Sequence, residues 1–374
     1  MPAVDLTAPA RLGVDELLDV LEKHAAAADE AGRPAPEVLA ALRDSPLPGL
    51  VVPKSHGGAG ADALESNRMI ARIARHDPST AIIAFQHMAV CSRIAEWGSD
   101  SQRAELLPKL ASGEWLAASA WSESGAGAAK KNLSTIADEL PGGGWTVSGG
   151  KAFTTGAGIT DIYLVLAQST PVTDDDSAYG SGGQSFFLVP ATNPGIEPDL
   201  SLDLVGMRAS ATGFVELKDC RLGPEALLGP RDAASTIIAG VRQSGATLGA
   251  VSAGIAEAAW DLGFQAAQRK SLLDLQAVRH RMVDLRGQVE SARALVERAG
   301  RRDGTDPGEV TLYSKIHASQ VAEEVVASVA RLLGSTGYVV TNPINRMARD
   351  ARAVALMGPT NDLSRELVSL PWAA

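Results

Sequence analysis

The side chains that could carry chemistry in this 374-residue chain are sparse. Six histidines and two cysteines are scattered along it, and no cluster of His, Cys and carboxylates has metal-ligand spacing. No G-x-G-x-x-G follows a strand and no Walker G-x-x-x-x-G-K-[ST] occurs, which argues against a Rossmann or P-loop enzyme. Gly-x-Ser-x-Gly, the usual hydrolase elbow, is missing as well. If the chain is an enzyme, the expected source of the reactive group is an organic cofactor, with the protein supplying position and electrostatics. A few residues stand out. His87 lies in the apolar run AIIAFQHMAV and could exchange a proton near its ordinary pKa of ~6.5, against the plainer reading of a core histidine with satisfied hydrogen bonds. Ser122 and Thr155 bring hydroxyls to strand-like stretches, where plain barrel hydroxyls are the ordinary alternative. Phe153 reads as core, as aromatics in strands usually do.

The elements that must position these residues fall into three textures. From Val14 to about Ser112 the sequence is Ala-rich and helical, broken at Pro46–Pro53 and Gly57–Gly60, with Ser79 as the expected cap of a helix over Thr80–Ile94. From about Trp115 to Asp219 short runs alternate with Gly-rich turns: Leu133–Asp138, Gly144–Ser148, Asp161–Leu166, Ser185–Val189 and Gly213–Leu217. That pattern predicts an antiparallel barrel or sandwich. The insert Pro171–Gln184, PVTDDDSAYGSGGQ, predicts a mobile surface loop. Beyond Ala233 helices return. Leu275, Val278, Met282, Leu285, Val289, Ala292 and Val296 form one stripe of a long helix, and Glu309–Leu333 predicts another, ended by Gly334-Ser335-Thr336-Gly337. The expected α+β architecture is an N-terminal helical domain (1–114), a central antiparallel β-barrel (115–232) and a C-terminal four-helix bundle (233–374).

Composition narrows the partners. The net charge of −10 argues against non-specific nucleic-acid binding. No stretch is long and apolar enough for a membrane span, and Met1–Arg11 lacks the features of a secretory signal. Cys91 and Cys220 lie far apart, which fits reduced thiols, so the cytoplasm is the expected compartment.

Five colinear segments resemble the acyl-CoA dehydrogenase superfamily. Ala118–Gly127, ASAWSESGAG, is similar to the strand and turn ending in T-E-P-x-A-G-S-D. Lys151–Gly156, KAFTTG, resembles K-x-W-I-T-N. Leu204–Gly229 resembles the stretch closing the barrel, Leu332–Tyr338 (LLGSTGY) the glycine turn near the adenine end of FAD, and Arg349–Thr360 the R-D-A-R … Y-E-G-T segment. The resemblance implies FAD, with FMN as the alternative, wedged between barrel and bundle. Trp121 and Ser122 would bond the pyrimidine edge of the flavin, Phe153 would pack near the ring, and Thr155 would donate toward N5. Gly334, Gly337 and Thr360 would complete the cofactor site. Arg269, in the thinned remnant of R-x-x-F-G, would meet phosphate across a subunit contact in a homodimer or homotetramer.

The departures bear on the reaction. Desaturation of an acyl thioester needs a carboxylate to take the α-proton. At the family's Glu position this chain has Gly358, and the alternative location Arg242–Thr247, RQSGAT, supplies no acid. Asp362 is the remaining candidate base, although a carboxylate at a helix start more naturally caps it. Gly127-Ala128-Ala129 also lacks a hydroxyl expected at the pyrophosphate. The leading expectation is a flavin-dependent oxidoreductase acting on an acyl thioester or related small molecule, in specialised metabolism rather than ordinary β-oxidation and passing electrons to a separate acceptor. The alternatives are a two-component monooxygenase using oxygen and flavin from a reductase, with His87 near the reduced flavin, and a catalytically retired scaffold.

Overall fold

The computed structural model describes residues 14–172 and 178–373. The extreme N-terminus, to which the signal-peptide reading applies, lies outside them. Five helices come first: α1 (Asp15–Ala31), α2 (Pro36–Asp44), α3 (Ala63–His76), α4 (Pro78–Trp97) and α5 (Asp100–Ala111). Their starts are set by short polar caps. Asp62 accepts from Glu65 N, and Ser99 with Gln102 forms a reciprocal capping box. Helix α4 begins earlier than its sequence predicts. Asp77, not Ser79, is its cap and accepts from Ser79 N and Thr80 N, because Pro78 fits the first helical position and lacks only an N–H that would be unpaired there.

Eight strands follow: β1 (Ala117–Ala120), β2 (Ile136–Glu139), β3 (Trp145–Thr154), β4 (Ile162–Gln168), β5 (Gln184–Pro190), β6 (Ile196–Asp199), β7 (Gly213–Leu222) and β8 (Leu227–Leu228). They form one sheet in the order β6-β7-β3-β2-β4-β5-β8, with β1 on β4. The expected closed antiparallel barrel is corrected on two counts. The β1–β4 and β2–β4 pairings are parallel, and among the described residues no ladder joins the ends of the path, so the sheet stays open. Its β8 edge is blunted by α5, where Gln102 Nε2 donates to Glu225 O (2.7 Å) and Leu227 O (3.0 Å). On β4, alternate residues serve two cores. Ile162, Leu164 and Leu166 face a cluster shared with α4 and α5, while Tyr163, Val165 and Ala167 join Trp145, Phe187 and Val215.

The chain returns to helix in α6 (Ala234–Gln243), α7 (Gly249–Arg269), α8 (Gln276–Gly300), α9 (Pro307–Leu333), α10 (Pro343–Ala351), α11 (Ala353–Leu356) and α12 (Asn361–Ser369). The stripe Met282–Leu285–Val289–Ala292–Val296 is buried, whereas Leu275 precedes α8 and is exposed. Glycines let α7 and α9 approach closely. A Cβ at Gly249 would fall 2.7 Å from Ser314 O, and one at Gly263 would fall 2.9 Å from Val329. These two contacts run the same way along both helices, so α7 and α9 lie side by side and parallel. Residues of α1, α3 and α4 share one apolar core with α7, α8 and α9. Asn67 fastens that junction: Nδ2 donates to Gly245 O and Val296 O, and Oδ1 accepts from Thr247 N.

The insert over Pro171–Gln184 is only partly a surface loop. Residues 173–177 lie outside the described set, and Tyr179–Gln184 are buried. Gly180 N donates to Ala129 O, Ser181 Oγ to Lys131 O and Gln184 Nε2 to Lys130 O. Small residues without bulky side chains allow this segment to pack down over the turn at 129–131, and the sequence gives no apolar period to announce it.

Candidate active site

The structure brings the sequence-derived flavin residues together in part. Ser122 O accepts from Ala152 N at 2.8 Å, which sets Trp121-Ser122 beside Phe153-Thr154-Thr155. Phe153 is not the core aromatic its strand position suggests. It is 63% exposed and takes a left-handed backbone, φ 54°, a conformation uncommon outside glycine. Thr155 is buried, with Oγ1 3.0 Å from Thr212 Oγ1, which lies 2.7 Å from Ser210 Oγ. The hydroxyl of Thr154 and the indole Nε1 of Trp121 are buried without a partner. An open aromatic face, a row of hydroxyls and two orphaned polar atoms fit a planar group with an acceptor-rich edge, as a flavin ring is.

The other predicted residues stand apart. Arg269 is exposed at the end of α7, and because α7 and α9 run parallel it lies at the same end of the bundle as the Gly334–Gly337 turn. Gly334 has φ 63° and ψ −140°, a combination for glycine, and a Cβ at Gly337 would meet Ala330 O at 2.7 Å. Thr360 caps α12, its Oγ1 accepting from Leu363 N. The R-D-A-R segment is a strut. Arg349 pairs with Asp29 of α1 at 2.5 Å, and buried Asp350 accepts from Met207 N at 2.6 Å.

Neither predicted proton-transfer residue is placed for that task. His87 is buried, with Nε2 3.0 Å from Pro48 O and Nδ1 accepting from Ala117 N at 3.1 Å. Burial pushes its pKa down to about 4. It is a neutral ring that ties α4 to a loop and to β1, and both nitrogens are spent on backbone. Asp362 projects into solvent, 95% exposed, and pairs with Arg365 at 2.7 Å. A carboxylate so placed stays hydrated and faces its own helix, not a pocket.

Beside Gly358 lies a lysine. A Cβ on Gly358 would sit 3.4 Å from Lys130 Nζ and 3.2 Å from Tyr179 Oη. Lys130 Nζ donates to Ser122 Oγ at 3.0 Å and lies 5.4 Å above the centre of the Tyr179 ring. Burial pushes its pKa down to about 8, against the opposing charge of Glu123. Burial also raises the Tyr179 phenol. Sequence reasoning misses Lys130: in AAKKN it resembles a solvated turn, and only the docking of Tyr179–Gln184 buries it. A second lysine, Lys151 of β3, is also buried but pairs with Glu123 at 2.6 Å. Glu123 further accepts from Ser134 N, Ser134 Oγ and Thr135 N. Burial alone would raise its carboxyl, yet Lys151 and these donors hold it down at about 2.

Beside Trp121 opens a cavity of about 400 Å³ between α3, α4 and the α6–α7 connection. Phe85, Met88, Trp121 and Val241 give it apolar walls, and Ser244 and Ala246 border it from the stretch where an alternative acid was sought. Among the described residues no cluster of His, Cys, Asp and Glu could hold a metal, and no helix is long and apolar enough to cross a membrane.

Comparison with known proteins agrees along the whole length. Family models for the N-terminal, middle and C-terminal domains of acyl-CoA dehydrogenase match residues 14–114, 118–220 and 235–369. The chain belongs to the acyl-CoA dehydrogenase family, whose members are flavin-dependent oxidoreductases with FAD as cofactor. It is 30% identical over 355 residues to the probable acyl-CoA dehydrogenase FadE25 of Mycobacterium tuberculosis, covering 92% of this chain and 90% of that protein. It is 29% identical over 339 residues to the L-prolyl-[peptidyl-carrier protein] dehydrogenase of Pseudomonas fluorescens, covering 86% of each. Among solved structures, butyryl-CoA dehydrogenase from Megasphaera elsdenii superposes with a TM-score of 0.86 at 25% identity, over 96% of this chain and 98% of that one. A structure titled FAD-dependent dehydrogenase superposes at 0.81 and 27% identity, over 96% and 97%.

Proposed function

We propose that this protein oxidises an acyl thioester with bound FAD, in a specialised metabolic step, and that Lys130 stands in for the absent carboxylate. The observation carrying the reading is the position of Lys130 Nζ and Tyr179 Oη, each within 3.4 Å of a Cβ at residue 358. Ser122, Phe153 and Thr155 would hold the flavin ring, with Trp121 beside them; Arg269, Gly334, Gly337 and Thr360 are its candidate partners elsewhere. The flavin, when bound, supplies the acceptor for a hydride. The chain's own task is the α-proton. A neutral Lys130 amine takes it at Nζ, and its pKa of about 8 leaves a usable neutral fraction near neutral pH. Ser122 Oγ keeps Nζ in place. The cavity beside Trp121 receives the acyl group and excludes water.

Exposed apolar side chains on the bundle, Tyr338, Val340, Leu356 and Trp372, support a homodimer or homotetramer, because unpartnered patches of this kind mark contacts. Size-exclusion chromatography with light scattering reads that number directly. The reaction is tested by adding a panel of acyl-CoAs and acyl-carrier-protein thioesters anaerobically to the purified yellow protein. The carrier arm is included because one relative is named for a prolyl group on a peptidyl-carrier protein. Bleaching of the flavin by any of them is the expected result. If none bleaches it, and a product 16 mass units heavier forms only with reduced flavin and oxygen, the protein is a monooxygenase. A protein that binds no flavin in either oxidation state is a scaffold.

A further inference from the structure

Three lysines are buried among the described residues, Lys130, Lys151 and Lys315. The first two feel the opposite charge of Glu123. Lys315 of α9, 3% exposed, has no such relief: the charge that bears on it is Arg365 of α12, another cation. Its Nζ donates to Asn361 Oδ1 at 3.0 Å, and Asn361 Nδ2 donates to Ser319 Oγ at 2.8 Å. Residues 315 and 319 stand four apart on one face of α9, so one presents a donor and the other an acceptor to the same amide. That arrangement admits a single orientation of Asn361. Asn361 opens α12, directly after the capping residue Thr360. The stretch from Gly358 to Thr360 is therefore fastened at one end to α9, while at the other it lies beside Lys130 and Tyr179.

Fold stability gives no reason for a cation here. Burial pushes the Lys315 amine down to about 7, and an apolar side chain of similar length would fill the same space without that cost. We propose that Lys315 is a positioning residue for the flavin site, holding Thr360 in place through Asn361 and so setting how tightly FAD is retained. This rests on the placement of Thr360 among the cofactor residues in the function proposed above. The protonated amine gives Asn361 a charge-assisted hydrogen bond, about twice as strong as a neutral one. The grip is strongest below pH 7 and relaxes above it. Around Lys315 stand Ser319 of its own helix, Gly249 of α7, and Arg365, which pairs with Asp362 at the surface. An arginine keeps its charge throughout that range.

The test is FAD release on dilution of the purified flavoprotein, followed by flavin fluorescence between pH 6 and 8, beside urea denaturation at pH 6. The wild type is expected to hold FAD about tenfold less tightly at pH 8 than at pH 6. Lys315→Met should raise the urea midpoint at pH 6, where the cost of the buried cation is fully present. It should nevertheless release FAD about tenfold more readily at that pH and lose most of the pH dependence. A lysine that served the fold alone would move both readouts together. Asn361→Asp gives the amine a carboxylate partner, so the pH at which FAD loosens should rise by about one unit or more. Wild-type retention of FAD by Lys315→Met overturns the inference and leaves the proposed function intact. Should that variant not fold, an unmoved pH midpoint in Asn361→Asp does the same. A wild type that retains no FAD at any pH overturns the proposed function and the inference with it.

Discussion

Two buried lysines lie within reach of Glu123, and they occupy very different corners. At the first, Lys151 meets Glu123 at 2.6 Å, and three further donors complete the carboxylate. At the second, Lys130 has a hydroxyl and the face of a phenol ring and, among the described residues, no carboxylate at contact distance. The first corner is saturated, so it holds the β1–β2 connection to β3 and has nothing left to offer a substrate. The second is under-satisfied: burial holds both amines down at about 8, but Lys130 is not tied to a carboxylate and keeps Nζ available to a ligand. Completion of the hydrogen bonds separates a strut from a reagent, although both residues are buried lysines.

The comparison breaks most visibly at the strut. Lys151→Met leaves Glu123 buried without its counter-ion and should cost about 3–5 kcal/mol in urea denaturation; burial then raises the Glu123 carboxyl, so stability should fall further as the pH rises past its ordinary value and the carboxylate has to ionise. Lys130→Met should bind flavin with an unchanged visible spectrum but lose about 10³-fold in the rate of substrate-dependent bleaching, the range of a positioned general base. In the wild type that rate should climb with pH and level off above about 8, because the neutral amine is the working form. A rate that instead falls above 8 would identify the ammonium as the active species and Lys130 as an electrostatic partner.

The same substitution should stabilise the fold. The native pKa of Lys130, about 8, lies below its ordinary 10.5, so between those values the unfolded chain binds more protons and stability rises with pH. Below 8 the cost of burying the cation is fully present. Removing it at pH 7 should therefore gain about 1–3 kcal/mol, measured by chemical denaturation. The smallest effect is expected at Asp362→Asn, which should alter turnover by less than about twofold, since an exposed pair such as Asp362–Arg365 contributes little.

Much of the architecture is legible because periodicity records which face of an element is buried. The α8 stripe from Met282 to Val296 and the helix ending at Gly334 follow from spacing alone, as do most of the strands. The cap of α4 is misread by two residues, since Asp77-Pro78 competes with Ser79 for the same role. Barrel closure is not written in any strand; it depends on whether the edges meet, and Gln102 takes the Leu227 carbonyl of β8 instead. The site is harder. Ser122 and Thr155 become candidates through resemblance, but the burial of Lys130 is set by a segment about 50 residues further on. His87, set inside the apolar run of α4, proved to be backbone-satisfied.

The core shared by the first and last helices has a consequence for how the protein is made. The amide of Asn67 reaches a carbonyl 229 residues later, and the apolar face of α3 packs on helices from that distant part of the chain. At ribosomal speeds of about 5–20 residues per second, roughly 10–45 s pass before those helices emerge. During that interval Met69, Ile70 and Ile73 lack the part of their native cover that the later helices supply, so the nascent N-terminal helices are a natural client for a chaperone that holds apolar surface until synthesis ends.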